Sequence, residues 1–288
     1  MNIAEARRYG SKHLQEAGIE TASLDAALLL AHVLVVDRSW LLAHPETPLT
    51  PSQWNAYRAL LEERRKGLCV AYLTGHREFM GLDFIVTPDV LVPRPETEGL
   101  VELALGWLGD LSKSSATTGN IPLRVLDLCT GSGCIAVTIK RLFPFLEVWA
   151  SDISERALAI AQKNAQRLVG PGTIHFCQGD LFENIPGTFQ CIVTNPPYVP
   201  RPLISHLSRE VQQEPLCALD GGDDGLDLIR RIIAMAPSYL EPGGALFLES
   251  DSSQIESIRT LLHKAGFIGI DTYSDLAGLP RVSRGIKP

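Results

Sequence analysis

The chain has 288 residues and a mass of 31.4 kDa, a length that predicts two domains or one large domain with an appendage. Hydrophobic residues make up 45% and charged residues 20%, which excludes general disorder because the chain can bury a core. No apolar run approaches the ~20 residues of a membrane span, and the N-terminus lacks the apolar segment of a signal peptide. We expect a cytoplasmic protein without a membrane partner.

Charge and cysteine content exclude two further classes. The net charge is −7, with −4 on residues 1–120 and −3 on residues 121–288. Neither part has the basic excess with which proteins bind the nucleic-acid backbone, so strong nucleic-acid binding is not expected. The six cysteines form no CxxC pair and lie mostly in apolar segments of the sequence. This is typical of buried thiols in a reducing compartment. No metal site is expected.

The first 75 residues are predicted to form a small helical domain. Residues 50–53 read Thr-Pro-Ser-Gln, a typical helix start with Thr as N-cap, Pro at the first helical position and Gln three residues after the cap. Ser23 is expected to cap a second helix over residues 24–36 in the same way. We predict that this domain docks the substrate, and a purely structural cap is the alternative.

Residues 76–108 are expected to connect this domain to the next one. Residues 78–93 break the helical rhythm, and turn residues separate two β-prone runs, which predicts a β-hairpin. Residues 96–107 return to a helical pattern. Residues 109–122 are rich in Ser, Thr and Gly and have no periodicity, so we predict a loop there.

From residue 123 onward, apolar strand-like runs alternate with helical stretches. The predicted strands are residues 124–128, 147–151, 173–177, 191–194, 245–249 and 266–272. The predicted helices are residues 134–142, 155–168, 226–236 and 253–265. Such alternation predicts an α/β fold in which helices cover both faces of a parallel sheet.

A glycine-rich turn follows the first of these strands. Residues 125–134 read VLDLCTGSGC, so the strand runs through Gly131 and Gly133 into a helix. The glycines let the backbone approach a ligand, and the free N–H groups at the helix start favour a polar or anionic partner. Asp152 ends the next strand, about 20 residues later, where a carboxylate can accept both ribose hydroxyls of an adenosine. NAD and S-adenosylmethionine both fit this pattern.

The fourth strand is followed by Asn195, Pro196, Pro197 and Tyr198. Proline fixes its own φ and keeps the preceding residue extended, which makes this segment stiff. The Asn195 side-chain oxygen and the Pro196 carbonyl are spaced to accept both hydrogens of one planar NH2 group, and Tyr198 offers an aromatic face. Hydride transfer has no use for such a clamp, whereas methyl transfer to a conjugated amine does. We predict Asn195, Pro196 and Tyr198 as catalytic and all four residues as substrate-binding.

With these residues, three further segments resemble the HemK/PrmC family of protein-(glutamine-N5) methyltransferases, which modify peptide chain release factors. The segments are AYLTG at residues 71–75, LVPRPETE at 91–98 and GGDDGL at 221–226. The resemblance implies a seven-stranded, Rossmann-like class I methyltransferase sheet with a reversed final hairpin, and a small helical N-terminal domain. It also implies S-adenosyl-L-methionine as cofactor and the glutamine of a Gly-Gly-Gln loop in a bacterial release factor as substrate. Residues 109–288 would be the methyltransferase domain.

Two alternatives stay open at this point. DNA adenine-N6 methyltransferases use a similar NPPY box, so an adenine-N6 nucleic-acid methyltransferase is the main alternative. A non-catalytic adaptor that binds S-adenosylmethionine and a partner is the other, and the intact Asn195 argues against it. A monomer is expected.

The resemblance also implies which residues bind the cofactor. They are Cys129, Thr130, Gly131, Ser132, Gly133, Asp152 on the ribose, Asp180 and Leu181 beside the adenine, and Asn195. Cys129 stands where the family often has Gly, and Leu181 where it often has an aromatic residue.

Four charged residues near these motifs have two interpretations each. Arg94 and Glu96 lie in a rigid Pro-Arg-Pro-Glu edge, where they either touch the cofactor and close the site or form a structural salt bridge. Glu210 and Glu214 are expected on a solvated face, with contact to the protein substrate as the alternative.

Overall fold

A computed structural model of the protein describes residues 1–115 and 123–288. The chain separates into two compact units. One comprises Met1–His76 together with Ser208–Gln213, and the other comprises Arg77–Leu207 and Glu214–Pro288. In the two described stretches, every helix is too short or too polar to span a bilayer.

The first unit is helical, as expected. Its helices are α1 (Ile3–Gln15), α2 (Ala22–Leu34), α3 (Arg38–Ala43), α4 (Pro51–Arg65) and α5 (Val70–Thr74). The predicted start of α4 is confirmed: the Thr50 hydroxyl accepts from the Gln53 N–H at 3.2 Å, and the Gln53 side chain accepts from the Thr50 N–H at 2.9 Å. The first five helices enclose an apolar core in which Ile3, Tyr57 and Leu61 are fully buried.

The prediction that Ser23 caps α2 is wrong. The helix begins at Ala22, so Ser23 lies in its first turn, and the N-cap residue is Thr21. The Thr21 hydroxyl donates to the Asp25 carboxylate at 3.0 Å instead of accepting a backbone N–H. The Thr21 hydroxyl is therefore bonded to the buried Asp25 side chain and caps no backbone N–H of the helix.

A buried ion pair connects three parts of the first unit. The Arg64 side chain is 2% exposed, and its Nε donates to the Asp25 carboxylate at 2.8 Å. Its Nη2 donates to Glu210, which lies in the segment Ser208–Gln213. The Glu210 side chain is 44% exposed, so the solvated face expected there holds in part, although its carboxylate pairs with an arginine that lies far away in the sequence.

The second unit begins with a hairpin and a long helix. The strands β1 (His76–Phe79) and β2 (Leu82–Ile85) pair in a two-stranded sheet, which confirms the hairpin. The hairpin ends at Ile85, and residues 86–93 of the predicted β segment contain no strand. Helix α6 (Pro95–Ser115) follows.

The loop predicted over residues 109–122 is wrong for its first half, because α6 continues to Ser115. Leu105 and Leu108 pack into the core, and the Ser112 hydroxyl donates back to the Leu108 carbonyl at 2.7 Å. Packing of this apolar stripe overrides the low helix propensity of Gly and Ser. Residues 116–122 lie outside the described residues.

The rest of this unit is a seven-stranded sheet with helices on both faces. Its strands are β3 (Arg124–Leu128), β4 (Glu147–Asp152), β5 (Ile174–Gln178), β6 (Phe189–Thr194), β7 (Leu240–Glu249), β8 (Ile268–Ser274) and β9 (Pro280–Ile286). Its helices are α7 (Cys134–Leu142), α8 (Glu155–Leu168), α9 (Asp227–Tyr239) and α10 (Ile255–Lys264). The order is β5-β4-β3-β6-β7-β9-β8, with β9 antiparallel to both neighbours.

The seven strands and the reversed final hairpin confirm the fold class that the resemblance implied. The alternation of strands and helices predicted only six strands, because β9 carries Pro280, two arginines and a glycine and has no clear apolar rhythm. Register brings the strand ends together: Leu128 is opposite Ser151 on β4 and opposite Thr194 on β6. Ligands of parallel sheets bind at this edge.

Candidate functional site

A cavity of about 650 Å³ opens at the carboxyl ends of β3, β4, β5 and β6. Its size suits a cofactor-sized ligand. Most of the predicted site residues line it, namely Arg94, Cys129, Thr130, Gly131, Ser132, Asp152, Asp180, Leu181, Asn195 and Pro197. Four do not belong to the lining, namely Glu96, Gly133, Pro196 and Tyr198.

The glycine-rich turn is fixed to the end of β4 by Asp152. One carboxylate oxygen accepts from the Gly131 N–H at 2.9 Å, and the other accepts from the Ser154 N–H at 2.9 Å. Burial raises the pKa of Asp152 above 3.8, although these backbone donors lower it in part. Each oxygen keeps a further lone pair, so the carboxylate can still accept hydroxyl groups from a ligand.

Asp127 is a residue of this site that the sequence analysis missed. It is completely buried, and one of its oxygens accepts from the Thr130 hydroxyl at 2.5 Å and from the Ala136 N–H at 3.0 Å. Burial raises its pKa to about 7. Asp127 therefore holds the glycine-rich turn against the first turn of α7. An acidic residue inside an apolar strand, where burial is costly without partners, was the available signal.

Two residues of the cavity wall have unusual backbone geometry. Cys129 has φ +64° and Leu181 has φ +55°, in the left-handed region that non-glycine residues seldom occupy. This geometry explains why glycine is common at the Cys129 position of the resembling family. Burial raises the pKa of the Cys129 thiol, so the side chain stays neutral and forms part of an apolar wall.

Asn195 directly follows β6 and points its amide nitrogen at α6. Its Nδ2 donates to the Thr97 hydroxyl at 3.0 Å. The preceding Thr194 is buried and donates to the Leu128 carbonyl at 2.7 Å, which fixes the end of β6 to the end of β3. Because the nitrogen is engaged by Thr97, the amide oxygen is left as the acceptor that Asn195 can offer to the cavity.

The segment after Asn195 is held by hydrogen bonds as well as by its prolines. The Val199 N–H donates to the Leu219 carbonyl and the Gly221 N–H donates to the Val199 carbonyl, both at 2.9 Å. The buried Gln254 donates to the Tyr198 carbonyl at 2.9 Å. Sequence analysis missed Gln254, because nothing in its local sequence connects it to a segment 56 residues earlier.

Tyr198 faces the protein interior more than the cavity. Its ring packs against the apolar cluster beneath the sheet, and burial raises the pKa of its hydroxyl. Pro196 is buried and Pro197 contributes to the cavity lining. A role for the Tyr198 ring or the Pro196 carbonyl in binding a substrate stays a prediction.

An ion pair links the two loops beside the cavity. The Arg94 Nη2 donates to Glu214 at 2.6 Å, and the Glu214 side chain is 1% exposed. The solvated face expected at Glu214 is therefore wrong. Arg94 both forms a salt bridge and lines the cavity, whereas Glu96 is exposed and does neither.

Arg231 on α9 is a further lining residue that the sequence analysis missed. Its guanidinium donates to the Asp180 carboxylate at 2.7 Å, and both side chains are about half exposed. The pair lies at the end of the cavity that Leu181 also lines. Asp180 is therefore held by a partner that comes from far along the chain.

The thiols and acidic residues of the described chain do not form a metal site. Within residues 1–115 and 123–288, no group of three or more His, Cys, Asp or Glu side chains could hold a metal ion. All six cysteines are free. Cys217 is exposed and lines the cavity, so the expectation of buried thiols does not hold for it.

Comparison with known proteins identifies relatives over the whole length. Residues 5–75 match the PrmC N-terminal domain, and residues 114–206 match the methyltransferase small domain. The chain is 44% identical to the release factor glutamine methyltransferase of Bordetella pertussis over 265 residues, which cover 91% of this chain and 94% of that protein. It is 38% identical to the protein of the same name from Koribacter versatilis, with 100% and 99% coverage.

Two solved structures share the fold. The catalytic domain of hMettl16, solved in complex with an RNA hairpin, has a TM-score of 0.57 at 15% identity and covers 79% of this chain and 81% of its own. A methyltransferase from Pyrococcus furiosus has a TM-score of 0.52 at 19% identity, with 80% and 97% coverage. Identities this low establish the fold alone.

Proposed function

Because the chain belongs to the family of release factor glutamine methyltransferases, we propose that it methylates a peptide chain release factor. The methyl group of S-adenosyl-L-methionine is transferred to the side-chain amide nitrogen, N5, of the glutamine in the Gly-Gly-Gln motif. The observation that carries this proposal is the orientation of Asn195, whose nitrogen is engaged by Thr97 and whose oxygen is left for a donor in the cavity.

The chemistry of the cavity fits S-adenosylmethionine. The carboxylate of Asp152 has two free lone pairs for the ribose hydroxyls. Residues 129–133 present a turn at the start of α7, whose backbone N–H groups suit the polar end of the ligand. Asp180 and Leu181, which line the cavity, would flank the adenine, and Asn195, also in the lining, would face both the cofactor and the substrate amide. When bound, the cofactor supplies an electrophilic methyl group on a sulfonium.

Asn195 and Pro196 then act on the substrate amide. A carboxamide nitrogen is a poor nucleophile because its lone pair is delocalised into the carbonyl group. Positive charge develops on its N–H groups during attack on the methyl carbon. The Asn195 oxygen and the Pro196 carbonyl accept these hydrogens, and their bonds strengthen as the charge grows, which is the condition for lowering the barrier.

The chain needs no general base before the methyl transfer. Once the new N–C bond has formed, the amide nitrogen would carry a positive charge; this N-methylated amide cation is strongly acidic, so its proton leaves after the transfer and gives the neutral N-methyl amide. The stiff segment 195–198 fixes the direction in which the nitrogen faces, an orientation effect that reaches about 7–11 kcal/mol in the best intramolecular reactions. Pro197, which lines the cavity, would form part of the surface against which the flat amide lies, while the Tyr198 ring packs against the apolar core behind this segment.

The helical N-terminal domain, residues 1–75, is proposed to dock the release factor, with residues 109–288 as the methyltransferase domain. The match to the PrmC N-terminal domain supports this division. Release factors act in the cytoplasm, so we propose the same location for this chain. Its monomeric state stays a prediction.

Methyl transfer from labelled cofactor tests the proposal. The purified protein is incubated with a release factor, with the same factor carrying Ala in place of the Gly-Gly-Gln glutamine, and with DNA. We expect label on the native factor alone. Label on DNA and none on the factor would instead support the adenine-N6 activity, against which the net charge of −7 already argues.

A further inference from the structure

A buried carboxyl group lies beside the proposed amide clamp and has no role in the mechanism above. Glu249 ends β7, the strand that neighbours β6, and its side chain is 1% exposed. Thr194 and Leu248 are opposite each other in the two strands. Asn195, which follows β6, and Glu249, the last residue of β7, therefore lie next to each other.

The hydrogen-bond directions around Asn195 follow from this carboxyl group. Glu249 lies close enough to the Thr97 hydroxyl and the Asn195 amide for both groups to lower its pKa. An ionised carboxylate accepts hydrogen bonds and cannot donate them. Thr97 can direct its only proton toward the ionised Glu249 while its oxygen accepts from the Asn195 Nδ2 at 3.0 Å.

We propose that Thr97 and Glu249 are positioning residues that fix the amide of Asn195 with its nitrogen inward and its oxygen toward the substrate. This inference rests on the proposed function, because the orientation matters only if Asn195 accepts from a substrate amide. Thr97 is 2% exposed, so water does not compete for these bonds. Without Thr97 and Glu249, the Asn195 amide can rotate by about 180°. Its N–H groups would then face the N–H groups of the substrate amide, and no hydrogen bond could form.

The charge state of Glu249 controls this arrangement. Burial raises the pKa of Glu249 to about 7, while the nearby Thr97 hydroxyl lowers it in part. A protonated Glu249 can donate to Thr97, which frees the Thr97 hydroxyl to donate to the Asn195 oxygen. The orientation that places this oxygen in the cavity is then no longer enforced.

Several other ionisable groups face Glu249 and set its titration. Arg281 on β9 lowers the pKa of Glu249, and Glu96 on α6 raises it. Tyr198 and Cys134 also interact with its charge. Arg281 is itself paired with two other carboxylates, so it does not neutralise Glu249. One oxygen of Glu249 has no hydrogen-bond partner among the described residues.

The first test measures the kcat of Thr97→Val, Thr97→Ser and Glu249→Gln with the release factor. We expect Thr97→Val and Glu249→Gln to lower kcat by about tenfold, with KM and the affinity for S-adenosylhomocysteine changed by less than about threefold. Thr97→Ser restores the hydroxyl and should recover most of the lost kcat. Thr260→Val is the matched control, because its hydroxyl donates only within α10.

Stability and pH separate positioning from a structural role. Glu249→Gln should unfold at an equal or higher temperature than the native protein at pH 8, because it removes a buried charge. The native kcat should fall as the pH drops through about 7, and Glu249→Gln should lack this dependence. Loss of stability together with loss of activity in this variant would overturn the proposal.

An NMR measurement tests, without any substrate, whether Thr97 and Glu249 fix the Asn195 amide. The side-chain NH2 signals of Asn195, identified by their loss in Asn195→Ala, should shift with a midpoint near pH 7 in the native protein. They should not titrate there in Glu249→Gln. If the Asn195 signals titrate as expected but the protein transfers no label to a release factor, the proposed function is contradicted and the positioning role of Thr97 and Glu249 is not. If the Asn195 signals do not titrate and Glu249→Gln keeps the native kcat, the positioning role is contradicted and the proposed function is not.

Discussion

Asp152 accepts the backbone N–H of Gly131 at 2.9 Å, across the ends of two neighbouring strands. The carboxylate expected to bind ribose therefore also braces the glycine-rich turn. The same bond places the turn and the acidic side chain on one wall of the cavity. Ligand affinity and local order thus depend on one side chain.

Replacing Asp152 by Ala should weaken the binding of S-adenosylhomocysteine by about 10- to 100-fold, because hydrogen bonds to a charged group contribute about 1.5–3 kcal/mol each. Isothermal titration calorimetry measures this change. Burial raises the pKa of Asp152 above 3.8, so native affinity should decline as the pH falls through that raised pKa and the acceptor is protonated. Asp152→Asn cannot titrate and should show no such decline. Native affinity in Asp152→Ala would exclude the ribose contact.

Replacing Asn195 by Ala should lower kcat by about 10²–10³-fold, the range found when a single hydrogen-bonding group that stabilises a transition state is removed. The affinity for S-adenosylhomocysteine should change by less than about threefold, since the cavity wall is otherwise intact. Single-turnover methylation and calorimetry provide the two numbers. A kcat close to native would show that the amide oxygen of Asn195 is not needed for the transfer.

Gly133→Ala should destabilise the second unit by about 2–4 kcal/mol. Gly133 has φ +81°, and an added Cβ would lie 3.0 Å from the Ala161 Cβ on α8, so backbone strain and overpacking add together. Gly172→Ala is the matched control, because φ is +70° there and no atom lies within 4 Å of the added Cβ. It should cost about 1–2 kcal/mol. Chemical denaturation compares the two, and equal losses would exclude the contribution of the contact.

Arg64→Met should destabilise the first unit by about 3–5 kcal/mol, because it leaves the Asp25 carboxylate buried without its partner. The double variant Arg64→Met with Asp25→Leu should recover most of this loss, since an apolar pair needs no counter-charge. Arg65→Met is the control: its partner Glu62 is half exposed, so the loss should stay below about 1 kcal/mol. Equal losses at the two arginines would show that burial of the pair does not matter.

The sequence predicted the elements whose signal is local. The capping box at Thr50 was found because its two partners are three residues apart. The glycine-rich turn, Asp152 and Asn195 were found because each ends an apolar strand, and parallel strands bring their carboxyl ends to one edge. These features need only neighbouring residues and a general rule of topology.

Errors arose where packing or distant partners decide. The extension of α6 depends on the burial of Leu105 and Leu108, and Ser23 does not cap α2 because the helix already begins at Ala22. The partners of Glu210 and Glu214 lie more than 100 residues earlier in the chain. Local composition carries no information about such pairs.

By itself, the sequence determined the order of the elements, the family, and the side chains that end each strand, because those follow from periodicity and motif. Only the tertiary structure decided which way the Asn195 amide faces and which carboxyl groups lose their contact with water. Those outcomes depend on Thr97 and Glu249, which folding brings together from positions 97 and 249. A hydrogen bond acquires its direction from the neighbours that three-dimensional packing supplies, and burial sets the charge that fixes it.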